Sequence, residues 1–206
     1  LGAALVSVCL GVVLCTRRKQ PLFFKILLFA AASYLLGALF EGCWELIYGN
    51  APGGFHIGYL GYVGMWFFLF SSYFGAIDRL ADGGEPMYRP YRLAALAAPL
   101  AVLGLTVWSA ASYGPDASLP LLLLVVPMGL TLYFALKHLL LPDVEMGIIR
   151  VMRPYNALII LLGLSQAALL FPGLPGSLQP AVTLLVCVLL AAMLPTAEMG
   201  VRKWFM

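Results

Sequence analysis

The sequence predicts an all-α membrane protein, a bundle of seven transmembrane helices. Of its 206 residues, 63% are hydrophobic and only 10% are charged, whereas a soluble domain is about 25% charged. The mean hydropathy is +0.98, and the apolar runs are too long and continuous for the alternating strands of a membrane barrel. Residues 1–206 are therefore expected to form a single seven-helix transmembrane domain.

Seven apolar runs mark the predicted helices, each near the length of about 17–25 residues that crosses a bilayer. The first run is short, and we expect that helix to begin upstream of the first residue. Charged and turn-rich connections alternate between the runs, and both end helices. The predicted helices lie at about residues 1–16, 21–47, 56–77, 92–112, 118–141, 155–172 and 178–200.

The connections before the second, fourth and sixth helices are charged. They comprise residues 17–20 (RRKQ), 78–92 (DRLADGGEPMYRPYR) and 141–154 (LPDVEMGIIRVMRP). Pro21 and Pro154 stand at the ends of two of these connections, where proline is suited to the first turn of the following helix. These features predict that the second and sixth helices begin close to their prolines.

The connections before the third, fifth and seventh helices are turn-rich. They comprise residues 48–56 (YGNAPGGFH), 113–120 (YGPDASLP) and 171–180 (FPGLPGSLQP), and none of them contains Lys or Arg. The positive-inside rule then places these three connections outside and the charged ones in the cytoplasm. All twelve basic residues fall on the cytoplasmic side of this map: Arg17, Arg18, Lys19, Lys25, Arg79, Arg89, Arg92, Lys137, Arg150, Arg153, Arg202 and Lys203.

This charge distribution fixes the predicted orientation. With an odd number of helices, the N-terminus lies outside and the C-terminus lies in the cytoplasm. The chain is accordingly expected to be a multi-pass protein of the cell (inner) membrane, with membrane lipids as its first partners. The same topology explains the net charge of +3, so nucleic acid is not an expected partner.

A group of polar and aromatic residues is predicted at the outer end of the second and third helices. Glu41 and Glu45 are four residues apart and share one helix face, and His56 begins the third helix on the same side. With Trp44, they could form an outward-facing pocket for a cation, an amine or a polar ligand. The alternative is that both carboxylates stay hydrated while the aromatic residues form part of the interfacial belt.

Glycines recur at steps of three in the third helix, at Gly58, Gly61 and Gly64, with Tyr59 between the first two. They lie within one face over two turns, so another helix can approach closely there. Packing is the predicted role of this face, although a ligand could use the same groove. Tyr59 is therefore included among the candidate ligand contacts.

Gln166 is the polar residue predicted to lie deepest in the membrane. It is twelve residues past Pro154, about 18 Å along the sixth helix from its cytoplasmic start. A buried amide in lipid must find partners, so the side chain is expected to face the bundle interior. It could serve as a hydrogen-bonding contact between helices or as a ligand contact.

Several classes of membrane protein lack their characteristic residues in this sequence. A retinal protein needs a lysine deep in its last helix, but Lys203 lies at the end of that helix. A haem-binding bundle needs paired histidines at one depth, whereas His56 and His138 are predicted at opposite faces. The four cysteines lie singly without CxxC spacing, which indicates neither a disulfide framework nor a zinc site. No cofactor and no metal site are predicted.

Catalysis has little support, because no nucleophile, base and orienting group can be combined from this sequence. Carriers driven by protons or sodium usually hold an acidic residue near the membrane midplane. The nine acidic residues here map to interfaces or connections instead. The sequence therefore predicts neither catalytic residues nor a carrier driven by protons or sodium.

The order of seven short-looped helices resembles the seven-helix sensory region found ahead of some bacterial histidine kinases. The last helix runs into a basic and aromatic end, Arg202-Lys203-Trp204-Phe205-Met206, and the resemblance is one of topology along the whole chain. It implies a sensor with a cytoplasmic output protein as its partner. The layout is also similar to the sugar-carrying SWEET family, but Gln20-Pro21 and Gln179-Pro180 reverse the Pro-Gln dipeptide of that family.

These observations predict a bacterial-type membrane sensor or receptor-like module. It would bind a small or lipidic ligand from the outer side and signal to a cytoplasmic partner, alone or as a homo-oligomer. Two alternatives stay open: a facilitative transporter of a neutral or amphipathic solute, and a structural subunit of a membrane complex. The candidate ligand-binding residues are Glu41, Trp44, Glu45, His56, Tyr59 and Gln166.

Overall fold

A computed structural model describes residues 1–78, 82–142 and 147–205, and this part of the chain is helical without strands. The all-α prediction is therefore confirmed. The predicted connections include residues 79–81 and 143–146, so Arg79 lies outside the described residues. Seven helices are described: α1 (Gly2–Arg17), α2 (Leu22–Tyr48), α3 (Gly58–Ser72, continued by a π-helical turn at Tyr73–Ile77), α4 (Pro86–Tyr113, interrupted at Leu96), α5 (Pro115–Leu140), α6 (Ile148–Leu169) and α7 (Gln179–Phe205).

Four helices are long and apolar enough to cross a membrane. These spans are Leu22–Tyr48, Pro86–Tyr113, Pro115–Leu140 and Gln179–Lys203, and their most apolar windows have a mean hydropathy of 1.9 to 2.2. Large apolar side chains also cover the outside of the bundle, as Leu22, Leu46 and Leu100 do. Length, composition and this exposed apolar surface together indicate a membrane protein.

Six of the described helices form a closed ring. Each packs against the next in the order α1, α2, α3, α5, α6, α7 and back to α1, and α4 lies outside the ring against α5. The core within the ring contains large, fully buried side chains from several helices, including Phe24, Met65, Trp66, Leu124 and Tyr155. α4 adds Val102 to the buried core from outside the ring.

Consecutive helices run in alternate directions, so the bundle has two distinct ends. One end contains the junctions α2–α3, α4–α5 and α6–α7, and we call it the Glu41 end. The other contains the junctions α1–α2, α3–α4 and α5–α6, and we call it the Lys137 end. These names describe the molecule alone, without reference to the sides of a membrane.

Several helix boundaries differ from the predicted ones. α6 begins at Ile148 rather than near residue 155, so Pro154 lies inside the helix instead of in its first turn. The early turn forms because Ile149 and Met152 are almost fully buried, and burial of these side chains outweighs the helix-breaking tendency of proline. The fourth helix also begins earlier, and α7 continues to Phe205.

Ser118 shows the same effect at the other end of the bundle. The predicted fifth helix began at Ser118, within the turn-rich connection, but α5 begins three residues earlier, at Pro115, and Ser118 is fully buried. Its hydroxyl lies 2.6 Å from the hydroxyl of Ser109 in α4. The α4–α5 connection is therefore reduced to Gly114, and the two hydroxyls join the ends of the helices that it connects.

Candidate functional site

A cavity of about 360 Å³ opens at the Glu41 end, between α1, α2, α3, α6 and α7. This volume is within the range of small-molecule binding sites. One part of its lining is polar: Tyr34, Glu41, Glu45, Tyr59, Tyr62, Gln166 and Thr183. The other part is apolar or small: Leu1, Ala38, Gly42, Leu169, Leu170, Val186 and Cys187. The cavity can therefore contact both a polar and an apolar portion of one ligand.

Glu41 projects from α2 into the contact between α2 and α3. The hydroxyl of Tyr62 donates a hydrogen bond of 2.6 Å to its Oε2 atom, a length typical of a bond to a charged acceptor. The Nε2 atom of His56 lies 3.6 Å from Oε1, and 35% of the Glu41 side chain remains exposed. Glu41 is thus held in a fixed position while part of its side chain stays accessible.

Gln166 is fixed from the other side of the cavity by Trp66. The indole Nε1 of Trp66 donates a hydrogen bond of 3.0 Å to Oε1 of Gln166, and the contact is buried. An indole nitrogen can only donate, so it determines which end of the amide is the oxygen. The amide nitrogen of Gln166 is therefore the group that remains for the cavity, which this residue lines.

The cavity brings together four of the six predicted ligand-binding residues: Glu41, Glu45, Tyr59 and Gln166. His56 is placed beside it, against Glu41, and its ring stacks on Tyr59 at 4.2 Å between centroids. Trp44 does not line it. Its ring packs instead on Tyr48 and Phe40, at 4.4 and 6.0 Å.

The position of Gln166 differs from the sequence prediction. Because α6 ends at Leu169 rather than near residue 172, Gln166 lies only three residues before the end of the helix. It therefore shares the cavity with Glu41 instead of lying alone at mid-depth. Its expected orientation toward the interior is confirmed, since the residue is only 4% exposed.

Two tyrosines that sequence reasoning missed also line the cavity. Tyr34 precedes Glu41 by seven residues, two helical turns, and therefore shares its face of α2. Tyr62 follows Tyr59 in the glycine-containing part of α3, and its ring lies 4.7 Å from that of Tyr34. Seven-residue spacing could have indicated Tyr34, whereas the bond from Tyr62 to Glu41 depends on the approach of two helices.

That approach is made by the glycines of α3. A Cβ atom added to Gly61 would lie 2.5 Å from the backbone nitrogen of Gly37 and 2.6 Å from the carbonyl oxygen of Ser33. The hydroxyl of Ser33 donates a hydrogen bond of 3.0 Å to the carbonyl of Gly61. The helix packing predicted for this face is thus present, and it sets the distance between Glu41 and Tyr62.

A cluster of charged side chains lies at the Lys137 end of the ring. The ammonium of Lys137, which is only 3% exposed, donates to Oδ1 of Asp78 and, at 3.2 Å, to Oδ2 of Asp82. His138 Nε2 lies 3.1 Å from the same oxygen of Asp78. The buried cation is therefore neutralised by two carboxylates, as a charge removed from water requires.

Asp82 connects this cluster to α4. The guanidinium of Arg92 donates two hydrogen bonds to its carboxylate, at 2.8 and 2.6 Å. The backbone N–H of Gly84 adds a third at 3.1 Å. The bonds from Arg92 come first among the interactions that hold the pKa of Asp82 well below its usual range, and Lys137 adds to them.

The helix α3 links the two ends of the bundle. The residues Tyr62, Trp66, Leu69 and Tyr73 follow one another at steps of three or four and are all buried. Tyr73 donates a hydrogen bond of 2.8 Å to Oδ1 of Asn156 in α6. The carbonyl of Trp66 accepts one of 3.1 Å from Thr131 in α5. α3 therefore makes polar contacts with other helices from the Glu41 end of the bundle to the Lys137 end.

Two buried nitrogens near the Lys137 end have no hydrogen-bond partner within the described residues. They are Nδ1 of His138 and Nδ2 of Asn156, on helices that face α3. An unsatisfied buried donor or acceptor is uncommon in a native structure. These two nitrogens consequently have hydrogen-bonding capacity that no described residue uses.

Comparisons of this chain with protein-family models, with curated proteins and with solved structures find no match.

Proposed function

We propose that this protein is a receptor-like module that crosses the membrane seven times, with its N-terminus outside. A small ligand enters the cavity from the outer side, α3 shifts, and the charge cluster at the cytoplasmic end rearranges for a cytoplasmic partner to detect. The observation that carries the proposal is that α3 holds contacts with both sites. It contributes Tyr62 to the cavity, and Asp78, which follows its π-helical turn, to the charge cluster.

The distance between these contacts suits transmission by a single helix. Asp78 follows Tyr62 by sixteen residues, which corresponds to about 24 Å along a helix. A helix transmits a shift because its hydrogen-bonded backbone moves as a unit, and packed interfaces tend to have discrete arrangements. A ligand that competes for Glu41 would weaken the bond from Tyr62 and so favour a second position of α3.

The unsatisfied nitrogens of His138 and Asn156 support a second arrangement. In the present one, Asn156 uses its amide oxygen for Tyr73, and the amide nitrogen has no partner within the described residues. A small shift of α3 could supply a hydrogen-bond partner to each of these nitrogens. The energy difference between two such arrangements could then be small enough for ligand binding to reverse it.

A receptor is favoured over a facilitative carrier by the layer below the cavity. Trp66, Leu69, Leu132 and Leu162 are almost fully buried there, and the Trp66–Gln166 bond separates the cavity from this layer. Such packing resists passage of a solute but permits a helix to slide. The carrier and the structural subunit have no comparable contact in their favour.

A double-mutant cycle tests the proposal without knowledge of the ligand. Tyr62→Phe removes the bond to Glu41, and Asp78→Asn weakens the charge cluster. If α3 couples the two ends, the changes in the free energy of unfolding of the purified protein should not add, and the interaction energy should exceed about 0.5 kcal/mol.

The matched control combines Tyr62→Phe with Ser109→Ala. Ser109 lies at the Glu41 end of the bundle, as Tyr62 does, but it belongs to α4, which is outside the ring. Its hydroxyl contacts that of Ser118. The two changes should be additive within about 0.5 kcal/mol. Additivity of Tyr62→Phe with Asp78→Asn would exclude coupling through α3 and with it the proposed function.

A further inference from the structure

The cavity at the Glu41 end is acidic. Its lining contains two carboxylates, Glu41 and Glu45, and no Lys or Arg among the described residues that form it. Glu45 is exposed, and Glu41 keeps about a third of its side chain accessible. An anionic ligand would be repelled by both carboxylates, and a neutral one would gain nothing from them.

Three tyrosine rings form an aromatic wall beside these carboxylates. The ring of Tyr62 lies 4.7 Å from that of Tyr34 and 6.2 Å from that of Tyr59, which it meets edge to face. The faces of such rings attract an organic cation at distances of about 6 Å or less. Carboxylates next to aromatic faces form a combination suited to an ammonium group.

A bare metal ion fits this cavity less well than an organic cation. One oxygen of Glu41 already accepts a hydrogen bond from Tyr62, which leaves few anionic ligands for a metal. Leu169, Leu170 and Val186 supply an apolar surface on the opposite side. That surface suits a carbon skeleton, whereas a hard cation requires six or more oxygen ligands.

Gln166 adds a second polar point of recognition. The residue is 96% buried, lines the cavity, and has its amide oxygen occupied by Trp66. Its amide nitrogen has no protein partner in the described part of the chain and can donate to a molecule in the cavity. The matching group on the ligand is a hydrogen-bond acceptor such as a hydroxyl or carbonyl oxygen.

We infer that the cavity binds an organic ammonium ion that also carries a hydrogen-bond acceptor. The ammonium group contacts Glu41 and the tyrosine rings, the acceptor contacts Gln166, and the carbon skeleton packs against the leucines. The inference names the ligand class of the proposed receptor and so rests on the proposed function. The ammonium group belongs either to a free amine or to the headgroup of an aminophospholipid.

The test uses 2-amino-1-phenylethanol as the probe, because it combines an ammonium, a hydroxyl and an apolar ring. Its neutral counterpart is 1-phenyl-1,2-ethanediol, and its anionic counterpart is mandelate. Binding to the full chain in neutral detergent is measured by the shift in Tm with probe concentration, since a ligand of the folded state stabilises it. The amine should raise Tm, and the diol and mandelate should not.

Two variants and one control define the contacts. Glu41→Gln should weaken amine binding at least about tenfold, as truncation of a charged partner typically does. Gln166→Met should weaken binding of 2-amino-1-phenylethanol but not of 2-phenylethylamine, which has no hydroxyl. The control Asp116→Asn removes an exposed carboxylate in the first turn of α5, at the Glu41 end of the bundle but away from the cavity lining. This variant should bind the amine as the unmodified chain does.

Nanodiscs separate the two possible sources of the ammonium group. If a lipid headgroup is the ligand, phosphatidylethanolamine should raise Tm relative to phosphatidylglycerol alone and should weaken binding of the free amine. Both effects should be lost in Glu41→Gln. If a free amine is the ligand, the lipid should have no such effect while 2-amino-1-phenylethanol still binds.

Two results would overturn the inference. One is equal stabilisation by the diol or mandelate, and the other is no stabilisation by either source of ammonium. The proposed function has an independent test, because the cycle between Tyr62 and Asp78 needs no ligand. If the Tyr62 and Asp78 substitutions are coupled but no amine binds, only the proposed ligand class is rejected. If an amine binds but the effects of the two substitutions add, only transmission through α3 is rejected.

Discussion

A buried ammonium shared between two carboxylates lies at the Lys137 end. Asp78 and Asp82 both accept from Lys137, and Asp82 also accepts two bonds from Arg92. Removal of one carboxylate leaves positive charge in a poorly hydrated place, which costs more than the loss of a surface ion pair. The stability of this end should therefore depend on the ionisation of Asp82.

The pH dependence has a definite sign. The pKa of Asp82 is held below its usual value by Arg92 first, and by Gly84 and Lys137 in addition. A depressed pKa in the folded state stabilises the fold above the unfolded value, near pH 4, and this stabilisation is lost as pH falls through the folded value. Asp78 and His138 also face this cluster, and the pKa of Asp78 is lowered by His138 and Lys137 despite its partial burial.

We predict that Asp82→Asn lowers the free energy of unfolding at pH 7 by about 2 kcal/mol, the scale of a hydrogen bond to a charged group. The difference from the unmodified chain should shrink as pH falls from 5 toward 2, because protonation then removes the same charge. Thermal unfolding in detergent across this range measures it. The control Asp116→Asn changes an exposed carboxylate and should show little effect. A difference that stays constant with pH would contradict the assigned role of the Asp82 carboxylate.

The pattern of residues along a helix indicates which face of the helix a side chain lies on. It does not indicate which residue, distant in the sequence, that side chain contacts. The expectation that Gln166 faces inward follows from its polarity alone, whereas its bond with Trp66 joins residues one hundred positions apart. The contact between Lys137 and Asp78 spans 59 positions. Positive-inside reasoning treated Lys137 as one of twelve basic charges and could not reveal its burial.

At the scale of elements, the contact between α2 and α3 determines the geometry of the cavity. Gly61 faces the backbone of α2 at Ser33 and Gly37 with no space for a Cβ atom. This close approach brings Tyr62 within 2.6 Å of Glu41. The spacing of the glycines was enough to predict a packing face. It did not indicate that α2 is the partner helix or that Tyr62 bonds to Glu41.

We predict that Gly61→Leu destabilises the protein by about 3 kcal/mol or more, because overpacking of a tight contact typically costs about 1–3 kcal/mol and this contact involves backbone atoms. Gly61→Ala should have a smaller effect in the same direction and provides a measurement if the leucine variant does not fold. The matched control is Gly104→Leu in α4, where nothing lies within 4 Å of the added Cβ. Equal unfolding free energies for Gly61→Leu and Gly104→Leu would contradict the packing role of Gly61.

Helix boundaries were less predictable than helix existence. Composition and the positions of the apolar runs were sufficient to predict seven helices in order. The start of α6 was missed by seven residues, because Pro154 indicated a first turn while burial of Ile149 and Met152 extended the helix. Where a segment packs against neighbouring helices, this packing therefore determines the helix boundary more strongly than a local residue preference such as that of proline.

At the scale of the whole molecule, the alternating helices place the described basic residues at one end. Arg18 and Lys19 near the end of α1, Arg92 in α4 and Lys137 in α5 lie toward the Lys137 end, as does Arg202 in α7. The connections at the Glu41 end contain no Lys or Arg. Such an asymmetry favours the Lys137 end as the cytoplasmic one.

This orientation can be measured with single cysteines in a variant that lacks the four native ones. Gly53 and Gly176 are exposed in connections at the Glu41 end, and neither has a positive φ, so cysteine fits both positions. Glu85 is exposed at the Lys137 end and is preferable to Gly84, whose φ of 87° disfavours a side chain. Ser118 is unsuitable because it is buried.

We predict that cysteines at positions 53 and 176 react with a membrane-impermeant maleimide in intact cells, and that a cysteine at position 85 reacts only after permeabilisation. The physical reason is that a positively charged connection is retained in the cytoplasm during insertion. The reverse pattern would invert the orientation and make the cavity open inward, which is incompatible with a receptor for outside ligands. Opposite labelling of positions 53 and 176 would contradict the alternation of the helices across the membrane, since the structure places both residues at the same end.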